Sequence, residues 1–171
     1  MIVAEYNKAL GSLHEDVWYG LDTEEKLNVL QRIADHECAL VLGCDTVEIK
    51  AALMSTEGLY GAYNPIVHNI TISSEIIEKM DMETVLDTLI HEVRHSWQRQ
   101  AAEIYFKVSG ILSEEELEIS FFRDARTYLD EFRDYEFGIL DYDAYYEQTV
   151  ERDSREYASV RVDEILYEAG I

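Results

Sequence analysis

The sequence predicts an α+β fold in which a helix, a small mostly antiparallel sheet, a long helix and a helical C-terminal part follow one another. Two long segments repeat apolar residues at three- and four-residue steps, as amphipathic helices do. Between them, polar and apolar residues alternate in short runs, a pattern typical of strands with one buried face. No Gly/Ser-rich linker, repeat or low-complexity run divides the sequence, so residues 1–171 are expected to form a single domain.

The first predicted helix spans residues 22–43. Asp22 is placed to cap it, with Glu25 three residues further on, and Gly43 is placed to end it. Its apolar positions recur at helical spacing and are Leu27, Leu30, Ile33, Ala34, Cys38 and Val41.

Three strands are predicted next, at residues 46–49, 59–63 and 69–73. Asn64 and Pro65 predict a turn between the last two strands, which would then form a hairpin. A long helix should follow over residues 81–108, because one apolar stripe continues along its whole length. From about residue 113 the sequence is helical again, with an irregular tyrosine-rich interval at 135–146 and a final helix at about 143–169.

The charge balance excludes several classes of partner. The chain carries 36 acidic and 14 basic residues, for a net charge of −22, and no Lys/Arg cluster offsets it locally. Such a surface repels phosphate, so we expect no binding to nucleic acid or to anionic membranes. It favours a basic protein or peptide as partner, although acidic solvated surfaces are common.

No apolar run approaches the roughly 18 residues that span a bilayer, so we expect a soluble protein without a membrane segment. Cys38 and Cys44 are too few for a disulfide framework and lack metal-site spacing, which predicts free thiols and a cytoplasmic location.

The long helix contains His91, Glu92 and His95 in the order His-Glu-x-x-His. On an α-helix the two histidines lie about 40° apart, one turn above the other, where both can bind one ion. Both point almost opposite to the helix's apolar stripe, so they do not belong to its core-facing side. A solvated polar face and a polar cleft both fit this pattern.

These three residue types in this order are suited to metal-assisted hydrolysis. A zinc ion with three protein ligands and one open position lowers the pKa of bound water towards about 7. Glu92 is turned about 100° from His91, which places its carboxylate beside a metal rather than on it. Glu92 is therefore the candidate general base.

The third ligand is expected to be a carboxylate, because no histidine follows His95 and the other three histidines all precede the motif. On the final helix, Glu151 lies on the same stripe as the small residues Ser154 and Ala158. A carboxylate on an inward stripe is costly unless it is paired or bound to a metal. Glu151 is therefore our predicted third ligand. The alternative is a glutamate at the edge of the stripe, or one paired with an arginine such as Arg94.

The sequence resembles the zincin metallopeptidases of glutamate-ligand type. The resemblance is carried by His91-Glu92-x-x-His95 on a long helix after a short sheet, followed by Glu151-x-Asp153-Ser154-x-x-Tyr157-Ala158. It is closest to the small ImmA/IrrE-like and related phage or bacterial minimal zincins. It implies a zincin-like fold, a Zn²⁺ cofactor, and a protein or peptide substrate.

The resemblance also implies further roles. In zincins an edge strand before the active-site helix binds the extended substrate backbone. The corresponding residues are Asn69, Ile70, Thr71, Ile72 and Ser73. Tyr157 or Tyr146 would donate to the developing oxyanion. Asp153, and Asp87 one turn before His91, would orient a histidine.

Three hypotheses follow. The first is a zinc metallopeptidase that uses Glu92 as its base. The second is a catalytically silent zincin-like binding or regulatory module. The third is a helical, acidic interaction protein in which the motif is accidental, and a Glu151 carboxylate far from both imidazoles would support it.

Overall fold

In a computed structural model of the chain, residues 1–56, 58–138 and 140–171 are described. They form a mainly helical α+β structure with one small sheet. The helices are α1 Ile2–Gly11, α2 Glu15–Trp18, α3 Thr23–His36, α4 Ser74–Lys79, α5 Met82–Val108, α6 Glu114–Leu117, α7 Ser120–Arg133, α8 Tyr142–Glu147 and α9 Thr149–Ala169. The strands are β1 Glu48–Ala52, β2 Gly61–Asn64 and β3 Asn69–Ser73.

The sheet is mixed, whereas the sequence predicted a mostly antiparallel one. Its strand order is β1-β3-β2, with β1 parallel and β2 antiparallel to β3. The tight turn at Asn64 and Pro65 forces β2 and β3 to run in opposite directions, and this predicted hairpin is confirmed. β1 pairs on the far side of β3, and the chain through β2 supplies the crossover that a parallel pairing needs.

The prediction that residues 69–73 form an edge strand is wrong. Asn69, Ile70, Thr71, Ile72 and Ser73 form the central strand, paired on one side with β1 and on the other with β2. Both rows of main-chain groups are therefore used within the sheet. Alternation of polar and apolar residues reports which face of a strand is buried, but it does not distinguish a central strand from an edge. The strand edge next to α5 belongs to β2.

Both long helices begin where their capping residues predict. Asp22 accepts a hydrogen bond from the backbone N–H of Glu25, and the Glu25 side chain accepts one from Asp22 in return. After α3 the helix continues through a π-helical segment, Glu37–Leu42, which ends at Gly43 with φ +65°. Asp81 accepts a hydrogen bond from Thr84 N–H and starts α5, so the predicted helix over 81–108 is confirmed.

The final helical region is divided at Gln148, whose ψ of 139° is extended. The predicted helix from about 143 to 169 is therefore two helices, α8 and α9. α1 was not predicted. It packs its buried Tyr6, Ala9 and Leu10 on the rest of the protein, and its contacts are mainly with α3 and α9.

Two hydrophobic clusters hold the elements together. The larger one joins the sheet to one side of α3, α5 and α9. The smaller one lies between α5, α7 and the start of α9 and contains Ala102, Tyr128 and Val150. Among the described residues, no helix combines the length and the apolar composition needed to cross a bilayer.

Candidate metal centre

α5 and α9 pack against each other and bring three predicted ligands together. His91 Nε2 and His95 Nε2 are 3.0 Å apart. Glu151 Oε2 lies 3.4 Å from His91 Nε2, and Glu151 Oε1 lies 3.2 Å from His95 Nε2. The predicted site residues His91, His95 and Glu151 thus converge on one point, as a group that could hold a metal ion.

The spacing of these atoms fits a small tetrahedral ion. Ligands about 2.0–2.1 Å from a zinc-sized ion are about 3.3–3.4 Å apart at tetrahedral angles. The 3.0 Å between the two imidazole nitrogens and the 3.4 Å between His91 Nε2 and Glu151 Oε2 differ from that by a few tenths of an ångström at most. A metal at this point therefore requires little movement of the protein.

The charge of Glu151 gives an independent reason to expect a cation here. Its side chain is fully buried, and its Oε2 has no hydrogen-bond partner among the described residues. Burial raises the pKa of this carboxyl, but the adjacent His91 and His95 side chains outweigh burial, so the net pKa is held well below the usual range. A buried, ionised oxygen without a partner is unfavourable unless a cation binds it.

Gln98 fixes the orientation of the His95 ring. Its amide nitrogen donates to Val150 O at 3.0 Å and to Asp153 Oδ2 at 2.7 Å. Its Oε1, 2.9 Å from His95 Nδ1, is therefore left as the acceptor. Nδ1 then carries the proton, which leaves the Nε2 lone pair directed at the Glu151 side of the site. No role was predicted for Gln98 from the sequence.

Asp153 acts one step further from the metal site than predicted. It accepts from Gln98 and forms a two-bond ion pair with Arg94, at 2.8 and 3.0 Å. Tyr128 also donates to it, at 3.2 Å. Asp153 therefore positions Gln98, and the alternative in which Arg94 pairs with Glu151 is wrong.

Asp87 is exposed and lies near His91. Although the residue as a whole is exposed, partial desolvation of its carboxyl raises the pKa of Asp87, and the nearby His91 lowers it in part. Among the described residues no hydrogen bond joins the two side chains, so the proposed orienting role of Asp87 has no direct contact to support it.

Glu92 lies beside the three ligands and is mostly buried. Its Oε2 accepts a hydrogen bond of 2.8 Å from the backbone N–H of Tyr63 on β2. This bond ties α5 to the edge strand β2. The general-base candidate is thus adjacent to the site without being one of its ligands.

Gly61 allows β2 to approach α5 this closely. A Cβ at this position would lie 2.8 Å from Thr88 Cγ2 and 3.0 Å from Glu92 Cγ. Gly61→Ala should therefore lower the free energy of unfolding by about 1–3 kcal/mol, as overpacking does, and a urea titration measures the loss. Gly110→Ala is the control, because nothing lies within 4 Å of the added carbon. Equal losses in the two variants would contradict the close approach.

Tyr157 does not reach the metal site. Its hydroxyl donates to Glu37, and the Arg94 guanidinium lies 4.6 Å from the centre of its ring. Burial, with the nearby Glu37 carboxylate, raises the pKa of Tyr157. Tyr157 follows Glu151 by six positions, so the two side chains point about 120° apart around the helix. The predicted catalytic role of Tyr157 is therefore wrong.

Tyr135 and Tyr145 are the tyrosines that face Glu151. The Tyr135 hydroxyl donates to Glu151 Oε1, and the two tyrosine rings lie 6.4 Å apart. Burial, together with the nearby Glu151 charge, raises the pKa of both hydroxyls. Both residues fall in the tyrosine-rich interval at 135–146. The chain contains twelve tyrosines, and the sequence alone gives no basis for choosing one of them.

A distant Glu151 carboxylate would have supported the third hypothesis, whereas its oxygens lie 3.2 and 3.4 Å from the two imidazoles. The metal-site interpretation rests on this arrangement and on the unpartnered Oε2. Comparisons with known proteins do not add to it. No protein-family model matches the chain, and no match was found among curated proteins or among solved structures.

Proposed function

We propose that this protein is a zinc-dependent metallopeptidase with a zincin-like arrangement of its catalytic helix. One observation carries the proposal: two imidazoles from α5 and a buried carboxylate from α9 converge at ligand spacing, with Glu92 beside them. Two histidines and a glutamate are a ligand set found in catalytic zinc sites, which keep a fourth position open. Zn²⁺ bound here supplies a Lewis acid and lowers the pKa of a bound water to about 7.

Glu92 takes the proton of the attacking water and passes it to the leaving amine. The bond from Tyr63 N–H holds one of its oxygens, and no described residue donates a hydrogen bond to the other. The second oxygen is then free to accept the proton of the water. Hydrolysis then proceeds in one step, without a covalent intermediate on the protein.

The substrate backbone binds along β2 in this proposal. Ser73 N–H donates to Tyr60 O at 2.8 Å, and Tyr63 N–H points instead to Glu92. Since main-chain groups alternate along a strand, Gly61 and Tyr63 face away from β3. In this proposal the carbonyl of Tyr63 accepts a hydrogen bond from an extended peptide, which would lie next to Glu92. This edge replaces residues 69–73, which are paired on both sides.

A groove that includes Asp87 and Thr88, about one turn before His91 on α5, supports the preference for a basic substrate. It has a volume of about 510 Å³. It extends from Tyr60 and Thr88 to the start of α5 and to Ser159 and Asp163 in the middle of α9. Its charged lining is entirely acidic, formed by Asp81, Glu83, Asp87 and Asp163. A lysine or arginine side chain of the peptide would fit this field.

The double variant Glu83→Gln/Asp163→Asn tests that preference. We expect kcat/KM for peptides with Lys or Arg beside the cleaved bond to fall about three- to tenfold, since each exposed ion pair contributes about 0.2–1 kcal/mol. Neutral peptides should be cleaved as before, and added salt should reduce the difference. Glu24→Gln, on the exposed start of α3, is the control. Equal loss on basic and neutral peptides would contradict the preference.

The surroundings of the protein follow from its charge and thiols. A net charge of −22 disfavours nucleic acid and anionic membranes as partners. Cys38 and Cys44 are free, which is compatible with a reducing compartment. We therefore propose that the enzyme acts on proteins or peptides in the cytoplasm.

Metal content and peptide cleavage test the proposed function together. Purified protein should carry one zinc per chain by plasma mass spectrometry, or take it up after dialysis. It should generate new amino termini in a peptide library, a chelator should stop the cleavage, and added zinc should restore it. A chain that can neither be isolated with zinc nor loaded with it would refute the proposal.

A further inference from the structure

The two oxygens of the Glu151 carboxylate have different surroundings. Oε1 accepts a hydrogen bond from the Tyr135 hydroxyl and lies 3.2 Å from His95 Nε2. Oε2 lies 3.4 Å from His91 Nε2 and has no hydrogen-bond partner among the described residues. One oxygen is therefore already satisfied by the protein, and the other is not.

This difference bears on how Glu151 binds a metal. A carboxylate can bind an ion through one oxygen or through both. Binding through both would occupy the position that a catalytic zinc site with three protein ligands keeps open. A hydroxyl that donates to Oε1 competes with the metal for that oxygen and directs the ion to Oε2.

The Tyr135 ring is held by aromatic packing. Its neighbours are Phe132, Phe137 and Tyr145, with ring centres at 6.3, 5.2 and 6.4 Å. It also packs against the smaller hydrophobic cluster, which includes Val150 at the start of α9. The hydroxyl is therefore delivered from a ring that is packed on several sides.

The backbone around Tyr135 is fastened to the start of α9. Gln148 accepts from Glu136 N–H at 3.0 Å and donates to Glu136 O at 3.0 Å. Glu131 accepts from Thr149 N–H and Val150 N–H, at 3.0 and 2.8 Å. These bonds fix the chain on both sides of Tyr135 relative to the helix that carries Glu151. These four hydrogen bonds between side chains and backbone groups hold Tyr135 in a fixed position.

We propose that Tyr135 is a positioning residue that directs Glu151 to bind the metal through Oε2 alone. This assignment rests on the proposed function, because it presupposes a metal on His91, His95 and Glu151. Tyr135 itself is not a metal ligand in this arrangement. Its role is to keep the fourth position of the ion free for water and substrate.

Tyr135→Phe removes the hydroxyl and keeps the ring, so it separates the hydrogen bond from the packing. We expect zinc affinity, measured by competition with a chelating dye, to fall about 10- to 100-fold, as for other partners that orient metal ligands. With Co²⁺ in place of zinc, the visible absorption should lose intensity, as it does when a four-coordinate ion becomes five-coordinate. Neither readout depends on peptide hydrolysis.

Tyr6→Phe is a matched control. Its hydroxyl also donates to a glutamate on α9, Glu168, at 2.6 Å, but that residue lies 17 positions beyond Glu151. This variant should bind zinc and Co²⁺ as the unsubstituted protein does. Gln148→Ala is a second test of the same assignment. It keeps the Tyr135 hydroxyl but removes the two bonds that hold the backbone of Glu136 beside it. It should weaken zinc binding in the same direction, though less.

The outcomes separate this assignment from the proposed function. Wild-type affinity and an unchanged Co²⁺ spectrum in Tyr135→Phe, with folding verified by circular dichroism, would overturn the role of Tyr135 alone. Equal losses in Tyr135→Phe and Tyr6→Phe would also overturn it, because the effect would then be general destabilisation. An unsubstituted protein that binds no zinc would overturn the proposed function and this assignment together.

Discussion

Glu92→Gln should abolish peptide hydrolysis and leave the metal site filled. Proton transfer by a positioned carboxylate contributes about 10²- to 10⁴-fold to the rate, so kcat should fall by about 10²-fold or more. Zinc affinity should not change, because Glu92 is outside the ligand group. Glutamine has nearly the same shape, and its carbonyl oxygen can still accept from Tyr63 N–H, so the contact with β2 is kept.

The control for this variant is Glu103→Gln on the same helix. Glu103 is exposed and pairs with Lys107 at 3.6 Å, so the substitution removes an equal charge far from the site. It should alter neither kcat nor zinc content. If Glu92→Gln retains its biological effect in cells while zinc stays bound, the protein is a zincin-like binding or regulatory module and not a peptidase.

The sequence predicted the ligand group because its residues follow local rules. His91 and His95 are one turn apart on a helix, and their position opposite the apolar stripe is a matter of helical geometry. Glu151 was found because a carboxylate on an inward stripe needs a partner. Both arguments use only the periodicity of one helix at a time, and the contact between α5 and α9 then brought the three side chains together.

The parts that could not be predicted depend on contacts between distant segments. Whether β3 is central or at an edge is decided by its pairing with β1, which the alternation of side chains does not encode. The role of Tyr135 depends on the path of the chain between α7 and α9, and Gln98 acquires its role only through Val150 and Asp153. The predicted role of Tyr157 came from the family pattern. That pattern does not take account of the angle of about 120° around α9 that separates Tyr157 from Glu151.

A buried polar network on the other side of α9 accounts for what Tyr157 does. Its hydroxyl and the Arg161 guanidinium both bind the fully buried Glu37 carboxylate, the latter at 2.9 Å. Arg161 also pairs with Glu168 at 3.0 Å, and Tyr6 of α1 donates to that same residue. The network joins the π-helical segment and α1 to α9. α9 is thereby held on both faces, and Glu151 is delivered from a helix with a fixed position.

Zinc should stabilise the fold, and Glu151→Ala should remove most of that effect. A ligand that binds only the folded state at about 100 times its Kd adds about 2.7 kcal/mol. For a domain of this size, 1 kcal/mol shifts Tm by roughly 2–4 °C, so we expect a rise of about 5–10 °C on adding zinc. The variant loses a ligand and should show little of this rise.

The zinc-dependent rise should also shrink as pH falls. Metal ligands must be deprotonated, so protons compete with zinc for the site. Burial lowers the pKa of His95, but its bond to Glu151 and the nearby carboxylates outweigh burial and raise the net pKa above the ordinary 6.5. Competition therefore begins above that value and increases towards acid. Differential scanning fluorimetry with and without zinc, at several pH values, measures the effect.

Glu156→Ala is the matched control for the loss of a glutamate from α9. Glu156 is exposed on the same helix, so its variant should keep the full zinc-dependent rise and the same pH dependence. A zinc-dependent rise in Glu151→Ala equal to that of the unsubstituted protein would show that Glu151 is not a ligand. In that case the unpartnered Oε2 would need another cation. The zinc site proposed for His91 and His95, with Glu92 as base, would lack its third protein ligand.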